Sequence, residues 1–190
     1  AMNKKGIESF ENVFNNGMRA INTSEFETVT EETGALILDT RDNGDFAKGY
    51  VPQSINIGIN GDFAPWVGAL IADVKQPIIL VTAPGFEEET VTRLTRVGFD
   101  NLIGHLEGGF EAWKKTGFEI DTVNRITAEQ FAKEVKIGES TIIDVRKESE
   151  YEAEHVDEAY SRPLAYINDW VKDINPEEHF YMHCAGGYRS

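Results

Sequence analysis

The sequence predicts an α/β fold made of two copies of one unit, each a mainly parallel sheet flanked by helices. The first observation is an internal repeat, because LILDTRDNGDFAKGYV at 36–51 resembles TIIDVRKESEYEAEHV at 141–156. Each copy begins with a short apolar run that is typical of a buried strand and that ends in Asp-x-Arg. Stretches with helical spacing, such as 62–74 and 166–174, alternate with the apolar runs, and this alternation predicts a parallel sheet.

Helix caps and a second apolar run complete each predicted unit. Thr23 and Ser24 precede SEFETV, and Thr127 precedes AEQFAKEV. Hydroxyl side chains at such positions are favoured N-caps, so two helices are predicted to begin there. The runs PIILV at 77–81 and HFYMH at 179–183 each predict a second strand followed by a loop.

The first copy is longer than the second. After its loop it continues through EETVTRLTRVGFDNLIGHLEGGFEAW, a pattern typical of helix, strand, Gly-Gly turn and helix. A polar stretch at 119–124 follows, which predicts one domain over 1–122 and a second over 123–190. No counterpart of the closing segment lies before Ser190. We therefore expect the second domain to be truncated after its loop, with its C-terminal part missing.

The composition excludes several classes of protein. The chain has 33 Asp and Glu against 18 Lys and Arg, a formal net charge of −15. Such a field repels nucleic acids and anionic membrane surfaces, so neither is an expected partner. No apolar run reaches the roughly 20 residues that span a bilayer, and the start AMNKKG lacks the apolar stretch of a signal peptide. A cytoplasmic location is therefore predicted.

The loop HCAGGYRS at 183–190 contains the one cysteine of the chain, Cys184. Gly186 and Gly187 allow successive backbone N–H groups to turn inward and form a nest for an anion. Arg189 adds a positive charge, and Ser190 is expected to cap a following helix. Such surroundings lower the pKa of a cysteine from about 8.5, which favours the nucleophilic thiolate. The alternative is an inert buried cysteine, but that role needs neither the two glycines nor the arginine.

The loop resembles the active-site loop of the rhodanese family, in which a cysteine carries a persulfide. IIDVRKESEYEAEHV also resembles a family segment, although Glu154 stands where a glycine is usual, and GFDNLIGHLEGGFEAWKKTGF resembles the closing signature. The resemblance covers the chain from about Thr23 and implies two tandem rhodanese-like domains. It implies catalytic roles for Cys184 and Arg189. The residues that would surround bound substrate are Ala185, Gly186, Gly187, Tyr188 and Ser190.

The two tandem domains together are more specifically similar to the C-terminal rhodanese domains of bacterial fusion proteins. The N-terminal part of these fusions is a metallo-β-lactamase-type persulfide dioxygenase. DFAPWVGALI and a first copy without cysteine carry this similarity. No cluster of His and Asp resembles the metal motif of such a dioxygenase, so its activity does not transfer to this chain. The similarity implies an N-terminal metallo-β-lactamase-type domain as a partner in the full protein.

The first copy is predicted to be catalytically inactive. Alignment of the two loops places Thr82 opposite Cys184 and Glu87 opposite Arg189. A threonine hydroxyl has no accessible anionic form, and a glutamate repels an anionic donor. Pro84 replaces one of the glycines and removes an N–H from the nest.

Other polar residues have structural interpretations that we favour. Asp39 with Arg41 and Asp144 with Arg146 recur in both copies, including the copy without a nucleophile, so pairing at a strand end is the preferred role. His183 is expected to pack, because alternating strand side chains put it on the face opposite to Cys184. Three further histidines lack metal-ligand spacing, so no metal and no cofactor are predicted: His105, His155 and His179.

These inferences predict a sulfurtransferase. A Cys184 persulfide would move sulfane sulfur from thiosulfate or a low-molecular-weight persulfide to a thiol acceptor. A cysteine phosphatase uses the same logic, but the phosphatase loops that this one resembles have five residues between cysteine and arginine, whereas four separate Cys184 from Arg189. A non-catalytic interaction module of a larger sulfur-metabolism protein is the alternative from a different class.

Overall fold

The computed structural model describes residues 10–136 and 138–190. The chain divides into two compact units, and the division falls between Val123 and Asn124. In the described part of the chain, no helix is long and apolar enough to cross a bilayer.

The first unit is an α/β structure with one fully parallel sheet. Five strands lie in the order β1-β5-β4-β2-β3. The strands are β1 (Ala20–Ile21), β2 (Leu36–Asp39), β3 (Ile55–Asn56), β4 (Ile78–Val81) and β5 (Leu102–Leu106). The helices are α1 (Phe10–Gly17), α2 (Thr23–Thr33), α3 (Asn43–Lys48), α4 (Phe63–Leu70), α5 (Glu87–Arg96) and α6 (Gly109–Thr116).

The central strand β4 shows why this sheet is covered on both faces. All four of its residues are buried, and they alternate between two core clusters. Ile78 and Leu80 pack on one face with Phe63, whereas Ile79 and Val81 pack on the other. A continuous apolar run is what a parallel strand between two helical layers requires, because successive side chains point to opposite faces.

The second unit repeats the βαβ pattern on a smaller scale. Three parallel strands lie in the order β7-β6-β8. The strands are β6 (Thr141–Asp144), β7 (Tyr160–Ser161) and β8 (Phe180–His183), and the helices are α7 (Ala128–Glu134), α8 (Glu148–Ala153) and α9 (Ile167–Trp170). Ile143, Val145 and Trp170 form its buried centre, and Cys184 packs against them. The predicted fold class, two α/β units with parallel sheets, is confirmed.

Two helix predictions need correction. The helix expected over 62–74 ends at Leu70, because Ile71 is extended. The stretch 166–174 forms one α-helical turn, α9, between two 3₁₀ turns rather than one helix. Nine residues provide few hydrogen bonds to offset helix nucleation, so tertiary contacts decide their conformation. Here the indole of Trp170 donates to the Pro163 carbonyl at 3.0 Å and fixes the segment to the core.

The predicted caps are half right. Thr127 is the N-cap of α7, with a capping box to Gln130, as expected. The cap of α2, however, is Asn22 and neither Thr23 nor Ser24. Its Oδ1 accepts from two amides of the first turn at 3.1 Å each. The preceding asparagine therefore satisfies the donors that the hydroxyls were expected to serve.

We expect Asn22→Ala to lower the free energy of unfolding of the protein by about 1 kcal/mol, because two amides at the start of α2 lose their acceptor. Urea unfolding followed by circular dichroism measures the change. Thr23→Ala is the matched control and should change the stability by less than half as much. Equal effects of the two substitutions would contradict the assignment of Asn22 as the cap.

Candidate active site

The site lies at the carboxyl edge of the second sheet. Asp144 of β6 pairs in register with His183 of β8, so Cys184 leaves the sheet immediately after the last pair. Carboxyl ends of adjacent parallel strands are the usual position for ligands in such sheets. The first sheet has the same register, because Asp39 of β2 pairs with Val81 of β4. Thr82 is therefore the positional counterpart of Cys184, as the alignment of the two loops predicts.

Hydrogen-bond donors surround the sulfur of Cys184. The Gly187 amide donates to Sγ at 3.1 Å, the Arg189 amide at 3.4 Å and the Ser190 hydroxyl at 3.4 Å. Gly187 has φ of 77°, in the left-handed region, which turns its N–H toward the sulfur. The loop thus forms a concave set of donors around one atom, as expected for an anion nest.

These donors control the ionisation of the thiol. Burial raises the pKa of Cys184, but the hydrogen bond from the Ser190 hydroxyl and those from the amides of Arg189, Gly186 and Ser190 outweigh it. The resulting pKa is about 7, well below that of an ordinary cysteine. A large fraction of the Cys184 side chains is therefore ionised near neutral pH, and the thiolate is the nucleophilic form.

The rate of alkylation of Cys184 by iodoacetamide should rise with pH and be half-maximal near pH 7. Ser190→Ala removes a donor that favours the charged form, so the midpoint should move upward by about 0.5 pH unit. Intact-protein mass spectrometry over a pH series measures both midpoints. A wild-type midpoint above about pH 8.5, the value of an ordinary cysteine, would contradict the nest.

The remaining residues of the predicted substrate-binding set lie at the loop surface. Ala185, Gly186 and Tyr188 are exposed, and 41% of Tyr188 is accessible to solvent. Within the same loop, the amides of Gly187 and Arg189 lie at hydrogen-bond distance from Sγ. Contact of the set with a substrate stays a prediction.

The side chain of Arg189 is held by Glu150. Its two terminal nitrogens donate to the two carboxylate oxygens at 2.7 and 3.0 Å, which is a bidentate ion pair. The hydrogen bond from Arg189 and a second from the Lys147 amide lower the pKa of Glu150 to about 2, so the carboxylate is ionised throughout the neutral range. The pair fixes the backbone whose amide points at the sulfur. A direct role of Arg189 toward an anionic donor stays a prediction.

Glu150 is a site residue that the sequence reasoning missed. It lies in the first turn of α8, where acidic residues are common for reasons of the helix dipole alone. Its counterpart in the repeat, Asp45, instead pairs with Lys48 in a solvent-exposed bridge. No sequence signal singled out Glu150, because its counterpart Asp45 is also acidic although Glu87 replaces the arginine in that copy.

The Asp-x-Arg motifs are structural, as predicted. The guanidinium of Arg146 contacts the buried carboxylate of Asp144 at 2.6 Å, and that of Arg41 contacts Asp39 at the same distance. Each arginine also donates to a backbone carbonyl eight residues farther on. The same geometry in both units, with and without a cysteine, assigns these pairs to the architecture of the strand ends.

His183 lies beside the site without a bond to the sulfur. Its Nε2 is 3.7 Å from the Asp144 carboxylate and has no hydrogen-bond partner among the described residues. Burial lowers the pKa of His183, so the ring is predominantly neutral at pH 7. The packing interpretation therefore fits its position. In the part of the chain that the structure describes, no group of three or more His, Cys, Asp or Glu is arranged to hold a metal ion.

The loop of the first unit has the opposite electrostatics. The Thr82 hydroxyl is buried and makes no hydrogen bond to any described residue. The carboxylate of Glu87 accepts from the Gly85 amide at 2.8 Å, so an internal acid occupies a loop amide. This loop therefore has neither a sulfur nucleophile nor an electrostatic attraction for an anion.

Comparison with known proteins agrees with this geometry. The family model of the rhodanese-like domain matches residues 22–116 and 127–190. The chain belongs to the rhodanese family. The two matches fall in the two structural units, so the family is represented twice in one chain.

Several curated relatives share about one unit with this rhodanese chain. A thiosulfate sulfurtransferase GlpE of Pseudomonas savastanoi is 29% identical over 86 residues, which covers 45% of this chain and 77% of that protein. Protein HIGH ARSENIC CONTENT 1, mitochondrial, of Arabidopsis thaliana is 30% identical over 99 residues. That match covers 47% of this chain and spans 58% of the length of the Arabidopsis protein.

Solved structures that resemble this chain include two rhodanese-type proteins. The rhodanese-like domain from the Anabaena Alr3790 protein has a TM-score of 0.48 and 22% identity, covering 57% of this chain and 84% of that one. Thiosulfate sulfurtransferase from Pseudomonas aeruginosa has a TM-score of 0.44 and 17% identity, covering 90% of this chain and 39% of that one.

Proposed function

We propose that this chain is a sulfurtransferase that moves sulfane sulfur through a persulfide on Cys184. The supporting observation is the set of donors on Sγ, with the Gly187 amide at 3.1 Å and the Arg189 amide and Ser190 hydroxyl at 3.4 Å. Donors fixed in advance around one atom stabilise negative charge there without reorganisation. Membership of the rhodanese family supports the same chemistry.

The reaction is a double displacement. In the first step the Cys184 thiolate attacks the sulfane sulfur of thiosulfate or of a low-molecular-weight persulfide. A new S–S bond forms on Cys184 while the donor's S–S bond breaks, and sulfite or a thiolate leaves with the electron pair. In the second step an acceptor thiolate attacks the outer sulfur of the persulfide, and the Cys184 thiolate leaves. The loop donors then have one negative charge to stabilise at every stage.

A small-molecule sulfur donor and a thiol acceptor are the proposed partners. The similarity of DFAPWVGALI and of the cysteine-free first copy to metallo-β-lactamase fusions supports a further proposed partner, an N-terminal metallo-β-lactamase-type domain, and a cytoplasmic location is proposed from the composition.

Mass spectrometry after incubation with thiosulfate tests the proposal. We expect Cys184 to gain one sulfur atom and to lose it again when cyanide or a thiol is added. Hydrolysis of a phosphate ester, measured alongside, tests the phosphatase alternative. A protein that takes up no sulfur from thiosulfate or a glutathione persulfide, yet hydrolyses the ester, would overturn the sulfurtransferase in favour of the phosphatase.

The non-catalytic module is supported by one observation, the loop of the first unit. Thr82 and Glu87 there provide neither nucleophile nor positive charge. For this unit we propose a structural or binding role. The same assay separates the two roles, because a module without catalysis takes up no sulfur and shows no turnover of either substrate.

A further inference from the structure

Two arginines beside the Cys184 loop are neutralised by carboxylates. Arg189 is paired with Glu150, and Arg146 is paired with Asp144. Both arginines keep their charge, but each faces a carboxylate within 3 Å, which cancels most of its attraction for a third ion. The net charge of the chain, −15, also repels an anion. An unpaired positive charge for an anionic sulfur donor therefore has to come from another residue.

Arg125 supplies such a charge. Its Nη2 lies 2.5 Å from the position that a Cβ atom on Gly187 would occupy. The Gly187 amide itself donates to Sγ at 3.1 Å. The Cβ position and the amide nitrogen of Gly187 are separated by one Cα–Cβ bond and one N–Cα bond. The sum of the two distances and these two bonds places Nη2 of Arg125 within about 9 Å of Sγ. The absence of a side chain at Gly187 is what leaves room for it.

The side chain of Arg125 differs from the other two arginines in its partners. It is exposed, and no carboxylate in residues 10–136 and 138–190 forms an ion pair with it. The guanidinium has five N–H donors in a fixed planar arrangement that matches an oxyanion. A charge that is not neutralised by a neighbour acts on a ligand at full strength, apart from screening by salt.

We propose that Arg125 is the residue that recruits anionic sulfur compounds to Cys184, acting on the charged group of the donor beside the loop. The proposal rests on the proposed function for the identity of the donor. Its ligand class is a small oxyanion such as thiosulfate, whose sulfonate would face the guanidinium while the outer sulfur faces Sγ. Arg125 in this role positions substrate and takes no part in the S–S exchange.

Alkylation of Cys184 tests the proposal without requiring sulfur transfer. Iodoacetate is an anion and iodoacetamide is neutral, and each loses iodide as the thiolate forms a C–S bond. We expect Arg125→Gln to slow iodoacetate about threefold at low ionic strength while leaving iodoacetamide unchanged, because one positive charge is lost within roughly a Debye length. Arg125→Lys should retain most of the iodoacetate rate, and salt should remove the difference.

Lys133→Gln is the matched control. It removes one positive charge from an exposed side chain of the same unit, in the last turn of α7. Among the described residues no hydrogen bond or ion pair joins Lys133 to the loop, and Phe131 of the same helix contacts the ring of Tyr181 in β8. The ratio of iodoacetate to iodoacetamide rates should be unchanged in this variant. An equal fall of the ratio in both variants would show a general charge effect and overturn the specific role of Arg125.

Thiosulfate kinetics complete the test. We expect Arg125→Gln to raise the KM for thiosulfate about fivefold with kcat changed by less than about twofold, because only binding of the anion is affected. An unchanged alkylation ratio in Arg125→Gln would overturn the proposal. A wild-type protein that takes no sulfur from thiosulfate contradicts the sulfurtransferase alone, since the alkylation ratio still decides the role of Arg125.

Discussion

Cys184→Ser should abolish the transfer of sulfur from thiosulfate to cyanide, with a loss of about 10³-fold or more. The hydroxyl that replaces the thiol stays protonated at neutral pH, whereas the pKa of Cys184 is about 7. Oxygen at this position also cannot form the S–S bond on which both steps depend. Initial rates of thiocyanate formation and the mass of the protein after incubation with thiosulfate measure the loss.

Thr82→Ser is the matched control for this substitution. Thr82 has the same position in the first sheet as Cys184 has in the second. A change there should leave the rate within about twofold of the wild type, because the first loop has no sulfur nucleophile. Retention of more than a tenth of the activity in Cys184→Ser would contradict the assignment of the nucleophile.

Gly187→Ala should lower the rate of sulfur transfer about 10²-fold, the usual cost of losing one preorganised donor to a developing negative charge. The backbone of Gly187 has φ of 77°, which strains a residue with a Cβ by about 1 to 2 kcal/mol. The new methyl group would also lie 2.5 Å from the guanidinium of Arg125. The exposed, flexible end of Arg125 can turn away from this methyl group, but relief of the backbone strain moves the amide away from Sγ, so the pKa of Cys184 should rise in parallel.

Gly186→Ala provides a control within the same loop. A Cβ on Gly186 meets no atom within 4 Å, and its φ lies outside the left-handed region. We expect this variant to keep its rate within about threefold and its alkylation midpoint unchanged. Initial rates and the pH dependence of iodoacetamide alkylation distinguish the two glycines. Equal losses in both variants would show that loop flexibility, and not the Gly187 donor, governs the reaction.

Four of the strands were predictable because each is a short, largely apolar run. The runs at 36–39, 78–81, 141–144 and 180–183 all form the parallel strands that their composition indicates. The helical stretch at 166–174 was not predictable to the same degree. Its apolar spacing is that of a helix, but the hydrogen bond of Trp170 to Pro163 decides its path.

The residues of the site likewise fall into those that the sequence identified and those that it did not. Cys184, its two glycines and the positional counterpart Thr82 could be identified from the repeat and from the chemistry of the loop. Glu150 could not be separated from the many acidic residues that begin helices. Arg125 has no motif around it, and its position beside Gly187 depends on the path of the chain before α7.

The sequence by itself determined the two-unit α/β architecture and the position of the cysteine loop, because apolar periodicity and a glycine-rich loop are properties of neighbouring residues. Only the tertiary structure decided which groups surround the loop. Glu150 and Arg189 are 39 residues apart in the chain, and strand pairing brings them to 2.7 Å. Charge compensation at a site is a property of distances in space, so a sequence pattern alone does not contain it.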